Sequence, residues 1–472
     1  MKLEQIYTGC LAHAAYYLES DGEVAIFDPL REVEPYIEKA ESNNSKIKYV
    51  FETHFHADFV SGHLDLKRKT GADIVFGPTA NPNYEAIIAE DNQIFKVGSC
   101  QVKVLHTPGH TMESSTYMII DENGKEHGII TGDTLFIGDV GRPDLAQHVV
   151  SDLTEDKLAG HLYDSLRNKI LPLSDDLIVY PNHGAGSACG KNMSKETTDT
   201  LGNQKKTNYA LRPELTKEQF KKELLEGLMP PPGYFPQNVL LNIKGYESFD
   251  KIKGQSDKPL SADAFEAAAN ETGALVLDVR SRDEFATAHI PKSIFIGIDG
   301  SFAQWVGAMI VDVKQPILLV ADQARLEETI TRLSRVGFDN VLGHLDGGFE
   351  TWKKANKEMD SVVTTTSAGL KNIITENNEP AVFDVRKKSE FDSEHAKIAI
   401  NTPLDSINDH LAEFPTDKTF YVHCAGGYRS MIASSILKSR GIHNLIDVEA
   451  GFEAIKAEGI ETTDFICPTT ML

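Results

Sequence analysis

The C-terminal half of the sequence contains one pattern twice, and this repeat limits the possible folds more than any other feature. The stretch LVLDVRSRDEFATAHI at 275–290 aligns with AVFDVRKKSEFDSEHA at 381–396 through D-V-R-x-x-x-E-F-x-x-x-H. Downstream, HLDGGFETW at 344–352 matches DVEAGFEAI at 447–455. A repeat of this kind indicates two copies of one structural unit of about 105 residues. A separate N-terminal domain therefore precedes them.

Each copy alternates short apolar runs, such as LVLDV and TFYVH, with helical stretches such as RSMIASSILKSRG, which ends at Gly441. This alternation predicts a parallel sheet covered by helices on both faces. The N-terminal region has more strand runs than helices, which predicts a two-sheet sandwich with outer helices. Between the halves, residues 211–238 begin with helical spacing, and prolines then impose an extended path. The predicted domains are residues 1–245, 255–358 and 365–472.

Charge, cysteine content and hydropathy narrow the class of protein. The formal net charge of −23 repels nucleic acid and anionic membranes, so we expect neither as a partner, and an anionic thiol substrate would need a local basic pocket. The five cysteines are too scattered to form a disulfide framework. No apolar run is long enough to span a membrane. Lys2, Glu4 and Gln5 stand where a secretory signal needs apolar residues before Cys10, so we expect a cytoplasmic enzyme.

Four separated segments each place a histidine or aspartate after an apolar strand run. They are THFHADFVSGH (53–63), HTPGHT (106–111), TGDTLF (131–136) and YPNHG (180–184). Binding groups gather where the chain leaves a strand, and imidazole and carboxylate are metal ligands. The set therefore predicts a metal centre. Within it, Phe59 directly follows Asp58, and phenylalanine has no lone pair to offer a metal.

With these motifs, residues 1–245 resemble the metallo-β-lactamase fold family. Within it they most resemble the persulfide dioxygenase branch, which is close in sequence to the glyoxalase II hydrolases. The resemblance assigns a first metal to His54, His56, His110 and Asp133. It assigns a second metal to Asp58, position 59, His183 and the shared Asp133, and the family pattern has histidine at position 59.

The dioxygenase resemblance implies one Fe(II) ion per chain, held by His54, His110 and Asp133. Two histidines and one carboxylate form a facial triad whose open positions can bring dioxygen and substrate together. Phe59 removes a ligand of the second ion and adds apolar bulk in its place. The polar residues left around the centre are His56, Asp58 and His183. They either orient ligands and water or are retained for packing.

Three further residues are candidates for binding an anionic thiol substrate. Arg142 lies in GDVGRPDL at 138–145, where it either faces the substrate or forms a structural ion pair. Cys189 and Lys191 lie in the glycine-rich loop after His183. A nearby lysine would lower the pKa of the thiol and favour the thiolate. Cys189 then either receives a persulfide sulfur or is a spectator.

The segment FYVHCAGGYRS at 420–430 reads as a strand, a tight loop and a helix start. Such a loop turns successive N–H groups toward the cysteine sulfur, and the helix N-terminus and a guanidinium add positive potential, so it stabilises a thiolate or a persulfide anion. With the D-V-R-x-x-x-E-F-x-x-x-H element, residues 365–472 resemble the rhodanese family of sulfurtransferases. The resemblance assigns catalysis to Cys424 and Arg429. The remaining loop residues are Ala425, Gly426, Gly427, Tyr428 and Ser430.

The first copy departs from the rhodanese pattern at the loop. Its segment LLVADQARLEET aligns Asp322 with Cys424 and has no glycine pair. A carboxylate cannot carry sulfane sulfur, so we expect residues 255–358 to be a silent rhodanese. It could serve as a spacer, a dimer contact or a wall of the active channel.

Together, the resemblances imply a sulfide-detoxifying enzyme in which a persulfide dioxygenase is fused to a rhodanese. The iron centre would oxidise a low-molecular-weight persulfide to sulfite with dioxygen, and Cys424 would pass sulfane sulfur to sulfite to form thiosulfate, or run the reverse reaction. The carrier thiol could be glutathione, coenzyme A or bacillithiol, and a homo-oligomer is expected. The rival hypotheses are a zinc-dependent thioester hydrolase of glyoxalase II type and a sulfur-relay module that delivers to an acceptor protein.

Overall fold

The computed structural model describes residues 1–145, 153–228, 230–377 and 379–466. Its chain divides into two compact units. The first unit is Met1–Ile252 with Val311–Val313 and Thr331–Asp339, and the second is Lys253–Ile310, Lys314–Ile330 and Asn340–Leu472. Among the described helices, none has the length and apolar character needed to cross a membrane. Cys467 lies outside the described residues.

The first unit is built on two six-stranded sheets. The first sheet contains β1 (Lys2–Thr8), β2 (His13–Ser20), β3 (Glu23–Phe27), β4 (Lys46–Phe51), β5 (Asp73–Phe76) and β6 (Ile87–Ile88), in that order. The second contains β7 (Ile94–Val97), β8 (Cys100–His106), β9 (Ser115–Ile120), β10 (Glu126–Gly132), β11 (Ile178–Pro181) and β12 (Asp199–Thr200). The helices are α1 (Glu34–Ser42), α2 (His63–Thr70), α3 (Glu155–Ser165), α4 (Leu201–Thr207), α5 (Lys217–Leu225), α6 (Phe235–Lys244) and α7 (Phe249–Ser256), the last of which extends into the second unit.

Side-chain alternation along the strands builds the layers of the first unit. On β2, Tyr16 and Leu18 face a buried cluster that draws on both sheets, whereas Ala15 and Tyr17 face a second cluster with residues of α1 and α2. A third cluster covers the other sheet with residues of α3, α4 and α5. The order is therefore helix, sheet, sheet, helix, which confirms the predicted sandwich.

The second unit contains two five-stranded sheets of the same strand order. One orders β13 (Pro259–Leu260), β17 (Val341–Leu345), β16 (Ile317–Val320), β14 (Leu275–Asp278) and β15 (Ile294–Phe295). The other orders β18 (Thr364–Thr365), β22 (Leu445–Val448), β21 (Phe420–His423), β19 (Ala381–Asp384) and β20 (Ala399–Asn401). All of these pairings are parallel. The two predicted α/β units are confirmed, while their exact boundaries stay a prediction.

The helices of this half are α8 (Ala262–Thr272), α9 (Arg282–Thr287), α10 (Phe302–Met309), α11 (Leu326–Arg335), α12 (Phe349–Lys354), α13 (Ser367–Asn377), α14 (Lys388–Ser393), α15 (Tyr428–Ser439) and α16 (Gly451–Ala457). Of these, α11 ends in the segment that belongs to the first unit. We call residues 255–358 the silent copy and residues 365–472 the cysteine copy.

The repeated motif is explained by contacts that both copies make. Arg280 binds the buried Asp278 through two nitrogens and lies over an aromatic ring, and Arg386 does the same with Asp384. Each motif histidine stacks on the motif phenylalanine, with ring centroids 4.0 Å apart in the silent copy and 3.6 Å in the cysteine copy. The D-V-R and F-x-x-x-H parts of the motif therefore stabilise the fold in both copies.

The sheet register corrects one sequence alignment. Asp278 pairs with Val320 in the silent copy, and Asp384 pairs with His423 in the cysteine copy. The residue after Val320 is Ala321, so Ala321, and not Asp322, is the counterpart of Cys424. The prediction that Asp322 replaces the cysteine is wrong by one residue, because the strand end cannot be located from the sequence alone. Alanine has no nucleophile, so the expectation of a silent copy stands.

Candidate functional site

The metal-ligand candidates lie where strands of the two facing sheets end. His54 follows β4, His110 follows β8, Asp133 directly follows β10, and His183 follows β11. All four side chains are buried. The four segments that the sequence analysis singled out therefore converge on one place between the sheets.

Three of these side chains form a compact set of ligand atoms. One atom each from His54, His110 and Asp133 lie within 4.8 Å of one another. His110 Nε2 is 3.4 Å and His54 Nε2 is 4.0 Å from Asp133 Oδ2. The opposite ring nitrogens are fixed, because His110 Nδ1 donates to the carbonyl oxygen of Arg142 at 2.7 Å and His54 Nδ1 is 2.9 Å from Thr53 Oγ1. Both Nε2 atoms are thereby directed at the carboxylate.

The electrostatics of this set fit a bound cation. Both oxygens of Asp133 are buried and have no hydrogen-bond partner among the described residues. Buried carboxylates are rarely left in that state, because an unpaired buried charge is costly. Burial, together with neighbouring His56 and His110, holds the pKa of His54 well below its usual value, so its ring is neutral and keeps a lone pair. Two imidazoles and one carboxylate are suitable ligands for Fe(II) or zinc.

His56 is engaged elsewhere. Its Nε2 is 2.9 Å from Asp28 Oδ1 and 3.4 Å from Glu52 Oε2. Burial opposes the charged ring, but the Asp28 and Glu52 carboxylates raise the pKa of His56 well above its usual value. The ligand atoms that lie together are those of His54, His110 and Asp133, and His56 is not in that set. The Asp28 contact occupies one nitrogen of His56, while its Nδ1 is buried without a hydrogen-bond partner among the described residues.

Phe59 occupies the position at which the family pattern has a further histidine. Its side chain is fully buried, and its ring centroid lies 4.3 Å from those of His13 and His56. A separate set of ligand atoms lies nearby, because Asp58, His183 and Cys189 each place one atom within 4.8 Å of the others. His183 Nε2 is 3.4 Å from Asp58 Oδ2.

The predicted activation of Cys189 by Lys191 is wrong. The thiol is buried, and burial together with Asp58 and Asp133 raises its pKa well above the usual value. Lys191 cannot reverse this shift, because its ammonium donates to the backbone oxygens of Glu223 and Glu226 at 2.7 and 2.8 Å. Sequence proximity placed both residues in one loop but could not show where the lysine side chain extends.

Arg142 forms the structural ion pair that was one of its two predicted roles. Its guanidinium binds both carboxylate oxygens of Asp144, each at 2.7 Å, and both side chains are buried. Its backbone carbonyl orients His110. Arg142 therefore contributes to the centre through its carbonyl, and its charge is matched by Asp144.

The cysteine copy presents a second candidate site at the end of β21. Cys424 is buried, and its sulfur accepts a hydrogen bond from the N–H of Gly427 at 3.1 Å. Gly427 has φ +94°, a conformation that favours glycine, and α15 begins at the next residue. The sulfur thus lies at a loop N–H and a helix N-terminus, both of which stabilise negative charge. The loop sequence predicts successive N–H groups directed at the sulfur, and the structure gives one such bond, from Gly427, at the start of a helix.

Arg429 is held by a residue of the repeated motif. Its guanidinium contacts both oxygens of Glu390, at 2.5 and 2.8 Å. Burial lowers the pKa of Arg429, but Glu390 and, to a smaller extent, Cys424 raise it. In the silent copy the equivalent Glu284 instead binds the N-cap residue Ser281 of its own helix. In the cysteine copy, the motif glutamate therefore binds Arg429 in addition to capping its helix.

Comparison with known proteins agrees with this architecture. The family model for the metallo-beta-lactamase superfamily matches residues 8–183. Hydroxyacylglutathione hydrolase from Dictyostelium discoideum is 32% identical over 205 residues, which cover 43% of this chain and 69% of that protein. The chain belongs to the metallo-beta-lactamase superfamily. The family model for the rhodanese-like domain matches residues 261–355 and 366–458, so two rhodanese-like domains follow the metallo-beta-lactamase domain.

One solved structure extends the likeness over most of the chain. A metallo-beta-lactamase from Staphylococcus aureus subsp. aureus COL is 29% identical, with a TM-score of 0.63 over 73% of this chain and 98% of that one. Another relative, the hydroxyacylglutathione hydrolase GloC of Haemophilus influenzae, is 28% identical over 37% of this chain and 85% of that protein.

The metallo-beta-lactamase domain also uses residues that the sequence analysis did not single out. Asp28 follows β3, and Glu52 follows β4, so the strand-end signal was available for both. Asn242 on α6 gave no such signal. Its side chain donates to the carbonyl oxygens of His56 and Phe59 at 2.8 and 2.9 Å. It also accepts from the N–H of Ser61 at 3.0 Å.

Replacing Asn242 with alanine should destabilise the metallo-beta-lactamase domain. The change removes three buried hydrogen bonds and leaves the backbone groups of the metal loop unpaired, which costs about 2–4 kcal/mol. Denaturant unfolding, with metal content measured in parallel, tests this. An unchanged midpoint and unchanged metal content would mean that the loop is held without α6.

Proposed function

We propose that the metallo-beta-lactamase domain is a mononuclear Fe(II) persulfide dioxygenase. The observation that carries this proposal is the buried Asp133, whose two oxygens have no hydrogen-bond partner in the described part of the chain. This carboxylate faces His54 and His110. His56 is instead bound to Asp28. A bound Fe(II) with this ligand set would offer open positions to dioxygen and to a substrate sulfur. The overall reaction is R–S–SH + O2 + H2O giving R–SH, sulfite and two protons.

The protein residues supply orientation and shielding for this reaction. Thr53 and the Arg142 carbonyl fix the two ligand rings. The ring of Phe59 and the buried His13 line the side on which a second ion would bind. A low-molecular-weight thiol persulfide is the proposed substrate, and Asp58, His183 and Cys189 are the polar groups beside the centre.

The cysteine copy is proposed to transfer sulfane sulfur. Cys424 would carry the sulfur as Cys–S–S⁻, which the Gly427 N–H and the first turn of α15 stabilise. Sulfite attacks the outer sulfur, the S–S bond breaks, and thiosulfate leaves with the Cys424 thiolate restored. The same steps in reverse would load Cys424 from thiosulfate.

A hydrolase of glyoxalase II type is the second candidate function. It is favoured by the relatives named hydroxyacylglutathione hydrolase and by the set Asp58, His183 and Cys189, which could hold another ion. Such hydrolysis needs a metal-activated water. The two candidates therefore differ in metal and in oxygen demand.

Metal analysis and an oxygen electrode separate the two functions. Protein purified from iron-replete cells should contain iron and consume one dioxygen per glutathione persulfide. Protein that contains zinc, consumes no oxygen with any persulfide and hydrolyses a hydroxyacyl thioester of glutathione would establish the hydrolase instead.

Phe59→His tests whether the ring limits the centre to one metal. The new imidazole replaces an apolar ring that follows Asp58 and lies against His13 and His56, so the metal content should rise from one toward about two ions per chain in zinc-supplemented protein. Phe59→Leu is the matched control, because it keeps an apolar side chain and should leave the content at one. Equal metal content in both variants would show that Phe59 does not exclude the second ion.

A further inference from the structure

The silent copy directly contacts the sulfur-carrying loop of the cysteine copy. Arg282, the first residue of α9 in the silent copy, donates from Nε to the carbonyl oxygen of Gly427 at 3.2 Å. Gly427 is the residue whose N–H points at the Cys424 sulfur. The Gly427 carbonyl shares its peptide plane with the N–H of Tyr428. It also accepts from the N–H of Met431 at 3.3 Å and from Ser430 Oγ at 3.2 Å. The Arg282 contact therefore adds to the bonds that hold the peptide at the start of α15, next to the residue whose N–H binds the sulfur.

The same guanidinium forms a partly buried ion pair behind the loop. Arg282 Nη2 binds Asp447 Oδ2, and the Asp447 side chain is fully buried on β22, beside β21, the strand that directly precedes Cys424. Burial raises the pKa of Asp447 to about 6, and Arg282 opposes that rise. Without the guanidinium, Asp447 would be a buried carboxylate that has lost its cation. The loop and the strand behind it are thus joined through one side chain of the other copy.

The repeat shows that this contact is specific to one copy. The counterpart of Arg282 in the cysteine copy is Lys388, at the same position of the D-V-R-x-x-x-E-F motif. Its ammonium pairs with Asp392 on its own helix at 2.7 Å, and its side chain is 69% exposed. The counterpart of Asp447 in the silent copy is His344. Among the described residues, the silent copy therefore contacts the loop of the cysteine copy through this motif position, and the cysteine copy makes no equivalent contact through Lys388.

A second contact from the silent copy reaches the residue next to Gly427. The Tyr428 hydroxyl donates to the carbonyl oxygen of Gly297 at 2.6 Å, and the Phe295 ring lies edge-on at 5.9 Å. A Cβ atom on Gly300 would come within 2.3–2.8 Å of the Tyr428 ring. The start of α15 therefore packs against a surface of the silent copy, and the close approach of the Tyr428 ring requires glycine at position 300.

We propose that the silent copy is a positioning domain for sulfur transfer, with Arg282 as the residue that holds the Cys424 loop in its active geometry. This inference rests on the proposed sulfurtransferase function of Cys424. It gives the silent copy a role in the reaction although Ala321 stands where the other copy has its nucleophile. Arg282 acts through Gly427 and Asp447 and does not itself carry sulfur.

The test compares full-length variants by two readouts. The first is the alkylation rate constant of Cys424 by iodoacetamide at neutral pH, followed on the Cys424 peptide by mass spectrometry. The second is thiosulfate formation from glutathione persulfide and sulfite without oxygen, which keeps the dioxygenase idle. Arg282→Met should lower the alkylation rate constant and kcat about fivefold to tenfold, the effect of losing one or two hydrogen bonds, with little change in KM. Lys388→Met is the matched control and should leave both unchanged.

Two further variants separate a positioning role of Arg282 from a loss of folding. Arg282→Lys should recover part of the loss, because an ammonium can still pair with Asp447 but cannot also bind the Gly427 carbonyl. If Arg282→Met does not fold, Arg282→Met with Asp447→Asn removes the stranded charge and should show the same slow alkylation. Wild-type alkylation and transfer rates in a folded Arg282 variant would overturn the proposal. If the wild type transfers no sulfur, the sulfurtransferase function fails, while the alkylation comparison still decides the role of Arg282.

Discussion

Cys424→Ser should abolish thiosulfate formation, with a loss of at least about a thousandfold, because the hydroxyl of serine cannot carry sulfane sulfur. Oxygen uptake with glutathione persulfide should stay near the wild-type rate, since the metal-ligand set belongs to the other unit and contains no residue of this loop. Sulfite should then accumulate in place of thiosulfate. Ion chromatography of the products with an oxygen electrode measures both activities in one sample.

A cysteine introduced into the silent copy tests whether a thiol at this position is sufficient for sulfur transfer. Ala321→Cys places a thiol at the counterpart of Cys424, but Asp322 and Gln323 follow it where the cysteine copy has Ala425 and Gly426. We expect no sulfur transfer from this thiol in the Cys424→Ser background. Recovery of transfer would show that the loop sequence matters less than the position of the sulfur. Loss of oxygen uptake in folded Cys424→Ser protein would mean that the two sites share an obligatory intermediate.

His110→Ala should remove most of the bound metal and lower oxygen uptake by at least about a hundredfold, because a facial triad cannot hold iron well with two ligands. His110 is buried with its Nε2 3.4 Å from Asp133. Metal content by mass spectrometry and oxygen uptake should fall together. Sulfur transfer from glutathione persulfide to sulfite without oxygen should persist, since Cys424 is unaffected.

The HTPGHT segment contains its own control. His106 lies four positions before His110, is only partly buried and contacts the carbonyl oxygen of Met112 at 2.8 Å. His106→Ala should keep its metal and its oxygen uptake. If both variants lose metal equally, the segment is needed for folding, and the ligand role of His110 is not supported. If His110→Ala keeps full metal content, the assignment of the centre is wrong.

The sequence predicted the ligand candidates because each one follows an apolar strand run, and facing sheets bring strand ends together. The repeat likewise predicted two copies of one unit with a parallel sheet, which the structure confirms, and the structure adds that both sheets have the same strand order. The same logic could have found Asp28 and Glu52, which also follow strands. It could not find that His56 points at Asp28, since that depends on how two neighbouring strands of the first sheet are aligned.

Three other features of the structure could not be predicted from the sequence, because each depends on contacts between distant segments. The shift from Asp322 to Ala321 required the register of β14 and β16, which no motif encodes. The direction of the Lys191 side chain depends on the backbone carbonyls at the end of α5. The reach of Arg282 across the copies depends on how the two sheets of the second unit pack. In each case the missing information was a contact between segments distant in sequence.

The contacts of α6 determine where the metallo-beta-lactamase domain can be cut from the rest of the chain. The match to the metallo-beta-lactamase family model ends at residue 183. Beyond it, Asn242 binds the metal loop, and the Tyr234 hydroxyl donates to the carbonyl oxygen of Asp58 at 3.3 Å. Tyr246 makes a further hydrogen bond to the carbonyl oxygen of Ser61. The family model therefore ends before the residues that hold the metal loop from α6 and its neighbours. A gene fragment that stops at residue 183 would lack α6 and its hydrogen bonds to the metal loop, so an excised metallo-beta-lactamase domain should extend past Tyr246.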